Sequence, residues 1–219
     1  MSVSILIPTF NRKRFSDIIS LNIKNQTYPL IKEILIADDG DDNERLELNT
    51  NYSVLYYKTS RVSIGEKRNF LKSKATGDYL VHFDTDDFYH HDYIANSVFN
   101  LIKSGKQLSG SADMIMLDTS ANKTYRQRCI NLDMLNEATL VYTKKYAETH
   151  NFSHQNSSEG VSFCDIADIY ETPIDTIMMC LSHGKNTIPK SEWINKQYEE
   201  DVNISDYVLH IKILSTATI

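Results

Sequence analysis

No closely spaced cysteine pair occurs in this 219-residue chain: Cys129, Cys164 and Cys180 lie far apart and are odd in number, so zinc-ribbon and redox-dithiol chemistry are not supported. A reducing compartment suits such a set. Long apolar runs are lacking too. The first, Val3 to Ile7, is too short for a signal-peptide core and has no basic residues before it, and none approaches the ~20 residues that cross a bilayer. The expectation is a cytoplasmic protein without a transmembrane segment. Positive charge is in deficit, 23 Lys and Arg against 29 Asp and Glu for a net charge of -6, which argues against a nucleic-acid partner, because phosphate neutralisation needs clustered bases. Internal repeats, low-complexity stretches and linkers are missing as well, so the chain reads as one domain, 1–219.

What is present is an alternation of short apolar runs with stretches of helical period, the pattern of βαβ units around a mainly parallel sheet. Strands are expected at Ser2 to Ile7, Lys32 to Ala37, Ser53 to Tyr57 and Tyr79 to Phe83. Helices are expected over about Arg14 to Asn25, Ile64 to Ala75 and Tyr93 to Lys103, the last stopping near Gly105. The second half carries extended runs at Met114 to Leu117, Tyr125 to Asn131, Leu140 to Tyr142 and Thr176 to Leu181, with a helix near Thr143 to His150 and another after Gly160. Strands without intervening helices predict a smaller mixed or antiparallel portion there. Tyr207, Val208, Ile211 and Leu214 give a final amphipathic helix that docks on its own domain, a homodimer contact or an interfacial membrane helix being the alternatives.

In an open parallel sheet ligands bind beyond the carboxyl ends of the strands. After the first strand comes Pro8-Thr9-Phe10-Asn11-Arg12, after the second Asp38-Asp39-Gly40-Asp41-Asp42, and after the fourth Asp84-Thr85-Asp86-Asp87. Singly, such loops are equally turns and helix caps. Three carboxylates within four positions are costly unless a cation neutralises them, and carboxylate oxygens suit Mg²⁺ or Mn²⁺ shared with substrate phosphates.

The succession from Ser4-Ile5-Leu6-Ile7-Pro8-Thr9 through Ala37-Asp38-Asp39-Gly40 and Gly65-Glu66-Lys67-Arg68-Asn69 to Phe83-Asp84-Thr85-Asp86-Asp87 closely resembles the family 2 glycosyltransferases of GT-A fold. The likeness is strong over residues 2 to 104 and looser beyond. It implies a Rossmann-like α/β sheet, with residues 1–110 as the nucleotide-binding half and 111–219 as the acceptor half. It also implies a nucleotide-sugar donor, UDP-linked by preference, an Mn²⁺ or Mg²⁺ ion, a glycan or glycoconjugate acceptor and an inverting transfer. By the same resemblance Pro8, Thr9, Asn11 and Arg12 lie along the donor, Asp39 accepts a hydrogen bond from the base, and Arg68 sits near the base. Asp84 and Thr85 face the ribose or donor sugar. Asp86 binds the metal, with Asp87 as an optional second ligand.

An inverting displacement needs a base for the acceptor hydroxyl. The resemblance assigns it to Glu159, in Ser157-Ser158-Glu159-Gly160. Many relatives carry Glu-Asp at this point where this chain has Glu-Gly, which leaves Asp165 and Asp168 as alternatives; Glu159 also reads as a first-turn helix carboxylate. A late histidine completes the metal shell in several GT-A enzymes, and His183 resembles it, with Lys185 placed to close over the diphosphate. Trp193 is a candidate acceptor contact. His82, His90 and His91 receive no role. Two other readings stay open: a sugar-1-phosphate nucleotidyltransferase, which would carry a glycine-rich first loop that this chain lacks, and a sugar-nucleotide or glycan-binding module without catalysis.

Overall fold

The computed structural model describes residues 1–128, 134–184, 186 and 198–216. In chain order the elements are β1 (Val3–Thr9), α1 (Ser16–Lys24), β2 (Ile31–Asp38), β3 (Val54–Lys58), α2 (Ile64–Lys74), β4 (Tyr79–His82), β5 (Phe88–Tyr89) and α3 (Tyr93–Ser104). They continue with β6 (Leu108–Gly110), β7 (Asp113–Asp118), β8 (Lys123–Arg128), β9 (Val141–Thr143), α4 (Lys144–Thr149), β10 (Ile169–Glu171), β11 (Met178–Ser182) and α5 (Val208–Thr216). Seven strands form one sheet in the order β10-β6-β9-β4-β1-β2-β3, and a second sheet runs β5-β11-β7-β8.

Central strands buried on both faces need continuous apolar runs, and β1 has one. Its alternation sends Val3, Ile5 and Ile7 to a core shared with Phe15, Ile18 and Ile19 of the α1 side. Leu6 goes to the opposite face, where Leu35, Leu80 and Leu71 of α2 complete a second core. Parallel pairing of β1 with β2 runs from Ile5↔Ile34 to Thr9↔Asp38, and with β4 it reaches Leu6↔His82. The three acidic or polar loops therefore leave the sheet at one edge.

Strand β9 reverses direction beside β4, pairing Leu80↔Tyr142 and Val81↔Val141. Its entry turn, Glu137–Thr139, consequently meets the carboxyl end of β4. In the second sheet β11 pairs antiparallel with β5 through Met179↔Phe88, which carries the end of β11 back to the residues just after β4. Helix α2 starts with a capping box in which Ser63 and Glu66 satisfy each other's backbone N–H groups, a device that fixes the first turn. Helix α3 ends at Gly105, whose φ of +70° is the left-handed stop.

The four early strands and three early helices lie where the periodicity puts them, within a residue or two. Strands β5, β6 and β10 are additional; at two or three residues each they are too short to show a period. The helix expected after Gly160 does not form. Turns occupy 161–163, and the only helical stretch between Gly160 and β10 is a three-residue 3-10 turn, Ile166–Asp168. Phe163 stacks on Phe152 at 3.9 Å between ring centroids and is fully buried, so tertiary packing rather than helical period decides this segment. The first-turn reading of Glu159 falls with it.

Helix α5 docks on its own domain: His210 Nε2 and Asn22 Oδ1 of α1 are 2.9 Å apart, and Tyr207 packs against Phe88. No helix among the described residues is long and apolar enough to cross a membrane. Cys164 and Cys180 are buried and not disulfide-bonded.

Candidate active site

The loops after β1 and β2 are locked together by close backbone approach. Asn11 adopts φ +53°, and its side-chain oxygen accepts from the Asp41 N–H at 2.7 Å. A Cβ on Gly40 would lie 2.6 Å from the Asn11 nitrogen, so glycine is what the contact tolerates. Lys67 of α2 ties the same loops from below, donating to the Thr9 carbonyl at 3.0 Å and to Asp39 Oδ1 at 2.7 Å. Burial pulls the Lys67 ammonium below its usual range, opposed by Asp39. Asp39 Oδ2 accepts the Val62 N–H at 3.1 Å, and the Asp39 side chain is fully buried. Pro8, Thr9 and Arg12 line a small cleft of about 120 Å³ with Lys67, Arg61 and Asp84. Within it the Thr9 hydroxyl oxygen is buried without a hydrogen-bond partner among the described residues. Arg61 lies over the Phe10 ring at 3.5 Å to its centroid, forming the rim.

After β4 the three carboxylates take three environments. Asp84, partly exposed, meets Arg68 NH2 at 3.3 Å. Asp86 Oδ2 lies 3.3 Å from Arg12 NH2, 3.1 Å from His183 Nε2 and 3.4 Å from Asn186 Nδ2. Asp87 is buried, and its Oδ1 accepts the Leu181 N–H at 2.9 Å, so this carboxylate fastens β11 to the loop. The result is that His183, at the end of β11, faces Asp86. Its side chain is buried and packs 5.1 Å from the Phe15 ring, which fixes the imidazole. An acidic oxygen and an imidazole nitrogen brought together in this way form a donor pair suited to a first-row divalent ion.

Arg68 is the hub beneath the site. It is fully buried, its Nε donates to Glu159 Oε1 at 3.0 Å, and its NH1 lies 2.8 Å from His82 Nδ1. Burial works against its charge, yet Asp84, Glu159 and Glu137 outweigh that and raise its pKa. Burial, reinforced by the Arg68 charge, holds His82 well below the usual histidine range and therefore neutral. His82 Nδ1 faces two partners of opposite kind, the Arg68 NH1 donor and the Glu137 carbonyl oxygen at 2.9 Å, and its Nε2 lies 2.9 Å from the Tyr142 hydroxyl.

Glu137, on the β9 entry turn, is the residue that sequence reasoning did not find. Burial first, then the Glu159 charge, push its carboxyl up to about 7, against the pull of Arg68. Its Oε1 accepts the Gly160 N–H at 3.1 Å. Lys67, Arg61 and His82 were also missed. Lys67 is adjacent to Arg68 in the same motif, and its apolar stem with a polar end is the signal that could have marked it. For Glu137 no local signal exists, since it reaches the site through the reversed direction of β9.

Glu137, Glu159, Asp84, Asp86, Arg68 and Arg12 face a cleft of about 760 Å³ that joins the smaller one. Thr85 is buried and lines the smaller one. Asp165 accepts the Ala167 N–H at 3.0 Å as a turn cap, and neither it nor Asp168 lines the cleft. Lys185 and Trp193 lie outside the described residues. His90, His91 and Asp92 are clustered closely enough to hold an ion but border neither cleft; Asp92 accepts the Thr27 hydroxyl at 2.6 Å.

The segment carrying Glu159 is held against α2 at Gly65, where a Cβ would fall 1.8 Å from the Ser153 carbonyl oxygen. Gly65→Ala is therefore expected to force the two backbones apart and lower stability by about 1–3 kcal/mol. Denaturant unfolding measures this, and a change below about 0.5 kcal/mol would show that the contact relaxes freely.

The sequence pattern of the family described as Glycosyl transferase family 2 matches residues 4–157. The abequosyltransferase RfbV of Salmonella typhimurium is 36% identical over 104 residues, 43% of this chain and 31% of that protein. Among solved structures, Staphylococcus aureus TarS in complex with UDP-GlcNAc superposes with a TM-score of 0.60 at 14% identity, covering 100% of this chain and 68% of TarS. A mannosyltransferase from Pyrobaculum calidifontis in complex with GDP-Man and Mn²⁺ gives 0.64 at 14% identity, covering 84% of this chain and 57% of that one. At such identity these two structures establish a shared fold. The chain spans about a third of the length of the curated relatives it matches first.

Proposed function

Because this chain belongs to glycosyl transferase family 2 and has the GT-A fold, we propose that it moves a sugar from a nucleoside diphosphate, UDP in the first instance, to a hydroxyl of a glycan or glycoconjugate, with inversion and with Mn²⁺ or Mg²⁺. The observation that carries this reading is the meeting of Asp86 Oδ2 and His183 Nε2 at 3.1 Å, at the sheet edge where the loops after β1, β2 and β4 converge. Asp86 and His183 would hold the ion. When bound, it supplies Lewis-acid stabilisation of charge on the departing diphosphate.

The remaining roles fall to the chain's own groups. Arg12, beside Asp86, is a cation within reach of phosphate oxygens. Thr9, with its unpartnered buried hydroxyl, and Pro8 form the wall against which a nucleoside would lie. Asp39 is held at the loop junction by Lys67 and the Val62 N–H, so its contribution to base recognition would come through that arrangement. Asn11 shapes the same junction. Asp84, partly exposed and steadied by Arg68, faces the donor sugar or ribose, with Thr85 behind it. Arg68 acts by positioning Asp84 and Glu159. The proton of the acceptor hydroxyl goes to a carboxylate of the Glu159 and Glu137 pair, which spares the attacking oxygen a positive charge and contributes on the order of 10²- to 10⁴-fold in rate.

Thermal unfolding in UDP, GDP, dTDP and CDP, each with and without Mn²⁺, tests the reading, since a ligand that binds the native state raises its stability by mass action. One nucleotide is expected to raise Tm, and more so with Mn²⁺. No shift with any nucleotide, with or without the ion, would remove the donor site.

A further inference from the structure

The proposed reaction leaves open which carboxylate takes the proton, and the packing around Gly160 decides between the two. We propose that Glu137, not Glu159, is the base, standing in the space that a side chain at position 160 would occupy; this rests on the glycosyl-transfer reading above.

Glu159 is poorly placed for the task. It has 4% of its surface exposed, and its Oε1 is turned onto the Arg68 guanidinium, itself braced by His82. That makes Glu159 a positioning residue within a buried ion pair. The position after it is glycine. A Cβ built on Gly160 would lie 2.7 Å from Glu137 Cγ, 3.0 Å from its Oε1 and 3.2 Å from its Cδ.

Nothing in the backbone calls for glycine at 160, since its φ is not in the left-handed region. The Glu137 side chain is what excludes a larger residue. The space beside position 160 is thus filled by a carboxylate arriving from the β9 entry turn, and the Gly160 N–H fixes it at 3.1 Å. Glu137 keeps exposed surface and lines the same cleft as Asp84 and Asp86.

In the step itself the acceptor oxygen attacks the anomeric carbon as its proton passes to Glu137. The bond from that carbon to the diphosphate oxygen breaks, and its electron pair leaves with the nucleoside diphosphate. The groups facing Glu137 are Glu159, Arg68 and, through the Glu137 carbonyl, neutral His82. A carboxyl pushed up to about 7 by burial and by Glu159 accepts a proton near neutral pH more readily than an ordinary one.

The test measures nucleotide release from UDP-, GDP-, dTDP- and CDP-sugars with Mn²⁺, water serving as acceptor, in the intact chain. Glu137→Gln is expected to slow release about 10²- to 10⁴-fold and to flatten the rise of rate with pH, while the Mn²⁺-dependent thermal shift by nucleotide stays as in the wild type. Glu137→Ala should be equally slow, and Glu137→Ala with Gly160→Asp should regain at least about tenfold, because removing the Glu137 arm opens room for the new side chain. Release by Glu137→Gln within about threefold of the wild type would overturn the assignment, as would a folded double variant no faster than Glu137→Ala. If the wild type itself releases nucleotide from none of the donors, the glycosyl-transfer reading falls instead, which separates the two failures.

Discussion

Asp86→Ala is expected to lower Mn²⁺-dependent nucleotide release from sugar donors by about 10³-fold or more, because it removes the carboxylate that faces His183 across the sheet edge. The three acids of this run are not interchangeable. Asp87 is bonded to the Leu181 N–H and 1% exposed, so it holds β11 in place, and Asp84 is paired with Arg68. Asp86 is shared among Arg12, His183 and Asn186. Asp86 is itself buried and paired with Arg12, so Asp86→Ala should also lose stability, about 1–3 kcal/mol for the partners it strands, and release is compared at a temperature where the variant is folded. Steady-state release with Mn²⁺ varied measures the effect. Full metal-dependent turnover in the variant would move the ion elsewhere.

The second large effect is on stability. Arg68→Met removes the guanidinium paired with Asp84 and Glu159 and facing Glu137 and is expected to cost about 3–5 kcal/mol, the usual penalty for stranding a buried charge. At about 2–4 °C per kcal/mol for a chain of this size, Tm should fall by roughly 6–20 °C. The pH dependence has a definite sign. Glu137 is pushed up by burial against the pull of Arg68; without Arg68 it holds its proton still more tightly in the native than in the unfolded state, so the native state binds more protons and stability decreases as pH rises. The deficit relative to the wild type should therefore widen from pH 5 to pH 8 in urea unfolding. A small deficit, independent of pH, would mean that water reaches these carboxylates and that Arg68 is not the hub.

The contrast between Asp86 and Glu137 shows how much of this site was legible in the sequence. The loops after β1, β2 and β4 could be read because each directly follows an apolar run, and parallel strands put all such loops at one edge. His183 could be read for the same reason, following Ile177 to Cys180. Glu137 could not, because its place depends on β9 running antiparallel between β4 and β6, and a three-residue strand carries no period from which direction could be inferred. The pattern after Gly160 misled in the opposite sense, with a helical spacing overridden by the stacking of Phe163 on Phe152. Arg68 was legible as important but not in its partners. Its contacts with Glu159 and His82 lie 91 and 14 positions away in the chain, and only the packing of α2 against the β4 end brings them together.

Release of nucleoside diphosphate from a sugar donor, followed with and without Mn²⁺, tests the central claim most directly. The account predicts release that requires the ion, is selective for one nucleotide and is lost in Asp86→Ala. Binding of nucleotide with no release from any donor, or release indifferent to the ion and to Asp86, would contradict it.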